Sequence, residues 1–146
     1  MRRRTEQGTA IVEFSWLAIL LLVPLVYIVL GVLDTQRTAF AATTAARSAT
    51  RAFVTSPDEA SAPARARAAA RLAFADQGLD QAPLDLRLHC TPQPSNCLSP
   101  GSVVFAEVRS SVRLPLFPAA LGHQAPAVAV DASHQSPYGT FREDRP

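Results

Sequence analysis

Residues 14–33 read FSWLAILLLVPLVYIVLGVL and contain no charged side chain. A helix of about twenty residues is roughly 30 Å long, which matches the hydrocarbon core of a bilayer. Lipid cannot hydrogen-bond free backbone N–H and C=O groups, so a single segment can cross it only as a helix. The run therefore predicts a transmembrane helix over residues 9–33. Pro24 removes one helical hydrogen bond and is expected to kink this helix near its middle.

The charges on either side of the apolar run predict its orientation. Arg2–Arg4 precede the run, whereas Asp34 is the first residue after it. Positive residues stay on the cytoplasmic side, so we expect a single-pass protein of the cell (inner or plasma) membrane with a cytoplasmic N-terminus and an extracytoplasmic C-terminal domain. A cleavable secretory signal is the alternative, because Ala-Phe-Ala at 39–41 fits a cleavage site. The length of the run and the polar residues after it favour a retained helix.

Glu13 stands at the start of the apolar run, five residues after Gly8. An acidic side chain costs roughly 2.5–3.5 kcal/mol at the bilayer centre and less near the edge, so it calls for a partner. A cation on a neighbouring group would supply one. Two such charges 4 Å apart attract by about 4 kcal/mol at an effective dielectric of 20, before desolvation is counted. The alternative is a carboxylate that extends to the cytoplasmic interface.

Residues 2–14, RRRTEQGTAIVEF, resemble the N-terminal signal of type IV pilin-like proteins. The form Gly-x-Ala-x-Val-Glu-Phe, followed by a long apolar run with a proline, is similar to the TadE-like family, minor pseudopilins of the tight-adherence (Flp-type) pilus machinery. The resemblance is strong over residues 8–35 and extends in layout through the chain. It implies that a prepilin peptidase cuts between Gly8 and Thr9 and removes a leader of residues 1–8. Glu13 would then be an assembly contact that sets the register against other pilin or pseudopilin subunits.

Past Leu33 the helix is predicted to continue as a stem over residues 34–55, because Ala dominates and no Gly or Pro intervenes. One face forms a small apolar seam: Ala39, Ala42, Ala46, Ala49 and Phe53. The opposite face carries Arg37, Thr44, Arg47 and Arg51, with Phe40 near it. The seam is expected to pack against the chain's own domain, with a partner pilin helix as the alternative.

Residues 56–59 (SPDE) match a capped helix start, in which Ser56 caps and Glu59 reaches back from the third helical position. A main helix is predicted from about Pro63 to Gln77 and is ended by Gly78. Its expected buried stripe is Ala68, Leu72, Ala75 and Leu79. Its expected solvated face is Arg65, Arg67 and Arg71.

The remaining sequence changes to a period of two, which is typical of half-buried strands. Strands are predicted over residues 84–90, 102–112 and 126–133, with an irregular Pro-rich segment, LPLFPAALGHQAP, before the third. They give an exported α+β domain over residues 56–134, a helix packed on a small antiparallel sheet as in pilins, followed by a mobile tail over 135–146. Cys90 and Cys97 bracket a short turn and are expected to form a structural disulfide outside the membrane.

Composition and motifs argue against several functions. Three of the fourteen Arg and one of the twelve acidic residues lie in residues 1–8, so the rest of the chain is neutral and no nucleic-acid partner is expected. Common hydrolase, phosphate-binding and zinc-protease motifs are missing from the sequence. His89, His123 and His134 are scattered, so we expect no catalytic residue, metal, cofactor or small-molecule substrate.

The sequence thus favours a membrane-anchored minor pseudopilin that acts in pilus assembly and is not an enzyme. One alternative is a single-pass anchored binding or sensor domain that faces the outside. The other is a secreted protein whose apolar segment is removed near Ala42.

Overall fold

A computed structural model describes residues 7–113 and 127–145, with side chains from residue 11 onward. The elements are α1 (Gln7–Val54), α2 (Ala62–Ala75), β1 (Asp85–Thr91), β2 (Val103–Arg113) and β3 (Ala127–Pro137). A long N-terminal apolar helix, a second helix and a three-stranded antiparallel sheet confirm the α+β, pilin-like architecture. Two expected features lie outside the described residues. They are the first six residues of the leader and the Pro-rich segment before the third strand, which contains His123. The chain divides into two compact units between Leu33 and Asp34.

The first unit is the apolar part of helix α1. Large apolar side chains are exposed along it from Ile11 to Leu33, and the helix continues through Pro24. By length and composition this helix could cross a membrane. A helix that is apolar on every side requires an apolar environment, which a bilayer or other apolar helices can provide.

The second unit is built on a sheet in the order β1-β2-β3 with antiparallel pairing throughout. In the central strand β2, every second residue is buried: Val104, Ala106, Val108, Ser110 and Val112. The same face of β1 carries Leu86, Leu88 and Cys90, which pair with Val108, Ala106 and Val104. The alternation that predicted the strands therefore also gives the face that is turned to the core.

The stem seam lies in the core of its own domain. Ala42, Ala46 and Ala49 are fully buried, and Phe53 is nearly so. They belong to one hydrophobic cluster with buried residues of α2 and the sheet. Methyl groups at this spacing let other elements approach the helix backbone closely. The seam was expected to pack against either the chain's own domain or a partner helix. In the structure it packs against the chain's own domain.

Helix α2 buries a different face from the one expected. Its buried residues are Ala62, Ala66, Ala70, Ala73 and Phe74. The predicted stripe is wrong, because Ala68 and Leu72 are exposed and Leu79 is only half-buried. Phe74, rather than Leu72, enters the core. The three arginines are exposed as predicted.

The segment between the helices does not form the predicted capping box. Ser56 Oγ donates 2.8 Å to the carbonyl of Ala52 in the preceding turn of α1. Asp58 Oδ1 accepts the backbone N–H of Ser61 at 2.7 Å, and this hydrogen bond lowers the pKa of the Asp58 carboxyl from its usual value. Glu59 turns away from the helix start and contacts residue 97 instead. Helix α2 begins at Ala62, one residue before the predicted start at about Pro63.

The C-terminal segment differs from the expected mobile tail beginning at Gln135. Strand β3 continues to Pro137, and Tyr138 is almost completely buried. The Tyr138 hydroxyl donates 2.7 Å to the carbonyl of Glu143. Composition rich in Gly, Pro and charge suggested mobility, but one buried aromatic ring and its hydrogen bonds hold the segment on the domain.

Candidate functional site

The residues expected to be processed lie at the start of helix α1. The helix begins at Gln7, so the backbone of Gly8 and Thr9 lies in its first turn. Glu13 follows Thr9 by four residues, which places the two on the same helix face. Its side chain is exposed and makes no ion pair with the residues that the structure describes.

Apolar side chains surround Glu13. Ile11, Val12, Phe14 and Leu17 are all more than half exposed, and Glu13 is the only charged residue between Gln7 and Leu33. A lone carboxylate on an apolar helix is costly to place in lipid unless a cation pairs with it. Glu13 is therefore a single carboxylate on an otherwise uncharged apolar stretch.

The expected disulfide between Cys90 and Cys97 is present, with an S–S distance of 2.02 Å. The loop that it closes is attached to the segment between the helices, because the backbone N–H of Cys97 donates 3.0 Å to Glu59 Oε1. Leu98, the next residue, is fully buried. The disulfide loop is therefore followed by a core residue and makes a contact with the segment between the helices.

Two arginines attach the C-terminal segment to the same region. Arg142 Nη1 donates 2.7 Å to the carbonyl of Val54, the last residue of α1, and Arg145 Nη1 donates 3.0 Å to the carbonyl of Ser56. The backbone N–H of Arg145 donates 3.2 Å to the carbonyl of Leu98. The end of the stem, the disulfide loop and the C-terminal segment thus form one polar junction.

The remaining candidates stay apart. His89 stacks on Phe105 across the sheet at 4.9 Å between ring centroids, and His134 is an exposed residue of β3. Among residues 7–113 and 127–145, no group of three or more His, Cys, Asp or Glu side chains could hold a metal ion. A cavity of about 290 Å³ lies between α2, β1 and the disulfide loop, and its lining includes Glu59, Arg67 and His89.

Sequence reasoning missed Tyr138, Arg142 and Arg145 as structural residues, and it assigned Glu59 the wrong partner. Their partners lie far away in the chain, 38 residues for Glu59 and 88 for Arg142, so no local pattern encodes them. The one available signal was Tyr138 itself, because a tyrosine ring buries a large apolar area and its hydroxyl then usually finds a hydrogen-bond partner.

In comparisons with protein-family models, with curated proteins and with solved structures, the chain matches none of them.

Proposed function

We propose that this chain is a membrane-anchored minor pseudopilin of the TadE-like kind that acts in assembly of a tight-adherence (Flp-type) pilus. The observation that carries the proposal is helix α1, which runs without interruption from Gln7 to Val54. It joins the junction at Gly8–Thr9, the carboxylate of Glu13, the apolar run and the buried stem in one element. An isolated anchor would need only the apolar run.

The proposed mechanism starts with a prepilin peptidase that cuts between Gly8 and Thr9 on the cytoplasmic side. The cut removes Arg2–Arg4 and creates a charged α-amino group at Thr9. That group can pair with Glu13 of its own helix or of a neighbouring subunit. Pairing between neighbours fixes the depth of one helix against the next. The apolar helix, free of other charges, packs among pilin helices, and the second unit lies outside the membrane.

N-terminal sequencing of the membrane-extracted protein, together with a Glu13→Ala variant, tests this proposal. We expect the mature chain to begin at Thr9 in both proteins. The amount of the variant recovered with sheared pili or with the assembly complex should fall roughly tenfold. A loss of 1.4 kcal/mol in pairing energy already corresponds to a factor of ten.

The control is Glu6→Ala, which removes a carboxylate of the leader and should leave incorporation unchanged. Gly8→Leu should block cleavage and leave a band heavier by the eight leader residues, because a bulky side chain obstructs access to the bond. A wild-type chain that still begins with its arginines, or that begins well past Leu33, would overturn the proposal. Normal incorporation of Glu13→Ala would overturn the role of Glu13.

An anchored binding domain is the second candidate, and the cavity beside Glu59, Arg67 and His89 favours it. It predicts an unprocessed N-terminus and monomers that diffuse freely in the membrane. The same sequencing experiment therefore separates the two functions.

A further inference from the structure

Two large apolar side chains are exposed on the helices of the second unit. Phe40 of the stem is 70% exposed, and Leu72 of α2 is 63% exposed. Each has an exposed charged residue on its own helix face: Arg37 lies three residues before Phe40, and Asp76 lies four residues after Leu72. We call Arg37 and Phe40 the stem patch, and Leu72 and Asp76 the α2 patch.

The two patches carry opposite and unpaired charges. Neither Arg37 nor Asp76 makes an ion pair with the residues that the structure describes, and the ion pairs found there involve sheet residues. Arg37 does not pair even with Asp34, one helical turn away. One patch therefore presents a cation beside an aromatic ring, and the other presents a carboxylate beside an aliphatic side chain.

The patches also lie at matching levels of the domain. Asp34 and Thr38 at the start of the stem line the same cavity, of about 720 Å³, as residues 78–83 after α2. Arg37 lies between these two stem residues, and Phe40 follows two residues after Thr38. Asp76 and then Leu72 are met when α2 is followed back from this cavity. The order, charge first and apolar residue second, is thus the same in both patches.

We propose that the stem patch of one copy packs side by side against the α2 patch of a second copy, with Arg37 against Asp76 and Phe40 on Leu72. The proposal rests on the anchoring in the proposed function, because two chains anchored alike in one membrane have the same direction and depth. One turn further, the small residues Thr44 and Ala68 allow close approach. Burial of the two apolar side chains drives the contact, and the charges fix its register.

Cross-linking between two differently tagged full-length copies in membranes tests this contact. One copy carries Thr44→Cys and the other carries Ala68→Cys, so that Phe40 and Leu72, which drive the contact, are kept. The native cysteines are both in the disulfide, so the new thiols are the only free ones. We expect a mixed disulfide dimer under mild oxidation. The matched control pairs Ala68→Cys with Arg51→Cys, which lies on the same face of the stem as Thr44 but two turns away and should give little product.

Charge reversal then tests the register. Arg37→Asp in the first copy, or Asp76→Arg in the second, should lower the cross-linked fraction roughly two- to fivefold, the range expected for an exposed ion pair. Combining the two substitutions should restore the cross-linked fraction, because the charges again attract each other. If the substitutions only destabilised the fold, combining them would not restore it. Equal cross-linking of the control pair, absence of the mixed dimer, or failure of the combined reversal to restore it would each overturn the contact.

N-terminal sequencing on the same membranes keeps the two proposals separate. A mixed dimer formed by unprocessed chains overturns the pilin function and retains the contact. A processed, incorporated chain without the dimer overturns the contact alone.

Discussion

Arg142 closes the carboxyl end of helix α1 from a position 88 residues further along the chain. The last carbonyls of a helix have no partner within it and form the negative end of its dipole. A guanidinium at 2.7 Å from the carbonyl of Val54 satisfies one carbonyl and offsets the dipole. The same group lies over the ring of Tyr138 at 4.9 Å, so it also holds the segment that carries it.

Replacing Arg142 by Met keeps an aliphatic chain and removes the hydrogen bond and the charge. We expect a loss of about 1 kcal/mol in the free energy of unfolding, measured by urea denaturation of the detergent-extracted protein. Arg109→Met is the matched control, because Arg109 makes only an exposed 3.8 Å ion pair with Asp131. It should cost less than about 0.5 kcal/mol. Equal losses for the two variants would show that Arg142 does not cap the helix.

At the level of single elements, α2 ends at Ala75, two residues before the predicted Gln77, and Gly78 has the left-handed conformation typical of a glycine that follows a helix. Gly78 has a φ of +68°, its N–H donates 2.8 Å to the carbonyl of Ala75, and the N–H of Leu79 donates 2.9 Å to that of Phe74. The left-handed conformation at Gly78 lets the chain leave the helix and still satisfy its last carbonyls.

Gly78→Ala should lower the free energy of unfolding by about 1–2 kcal/mol, the cost of a left-handed conformation for a residue with a Cβ. In the part of the chain that the structure describes, no atom beyond the adjacent residues lies within 4 Å of an added Cβ, so the cost comes from the backbone. Gly78→Asn should cost less, because Asn tolerates this conformation better. Thermal unfolding of both variants checks the prediction. A larger loss for Asn than for Ala would contradict it.

The elements themselves could be predicted, because helix and strand periods are local properties. The end of the stem near Val54, the alternation of β2 and the disulfide were all expected and are found. The buried face of α2 could not be predicted, since alanine lies on both faces and only the contact of Phe74 with the rest of the core distinguishes them. The predicted role of Glu59 was wrong for the opposite reason. Its local pattern indicated a helix cap, but its carboxylate accepts a hydrogen bond from the distant backbone N–H of Cys97.

At the scale of the whole molecule, the disulfide loop is a junction between distant segments. It contacts the segment between the helices through Glu59 and the C-terminal segment through the carbonyl of Leu98. Asn96 adds a hydrogen bond of 3.1 Å to Asp144. Opening the loop should therefore affect residues far from Cys90 and Cys97.

Replacing both cysteines by alanine should lower the free energy of unfolding by about 2–3 kcal/mol, as expected for a short closed loop. Backbone hydrogen exchange should also rise first in residues 138–145, while the centre of β2 keeps its protection. Chemical reduction of the wild-type protein should reproduce this order. A uniform rise across the second unit, or no change at 138–145, would show that the loop does not organise the junction.

The alanines of the stem have a consequence for how the sequence can vary. Ala42, Ala46 and Ala49 are fully buried, so each offers the core a single methyl group of space. A larger side chain would force the helix outward at about 1–3 kcal/mol, and glycine would weaken the helix by up to about 1 kcal/mol. Among natural or laboratory variants of this chain, the side chains at these three positions should thus keep nearly the same volume, while the exposed Thr43 can vary.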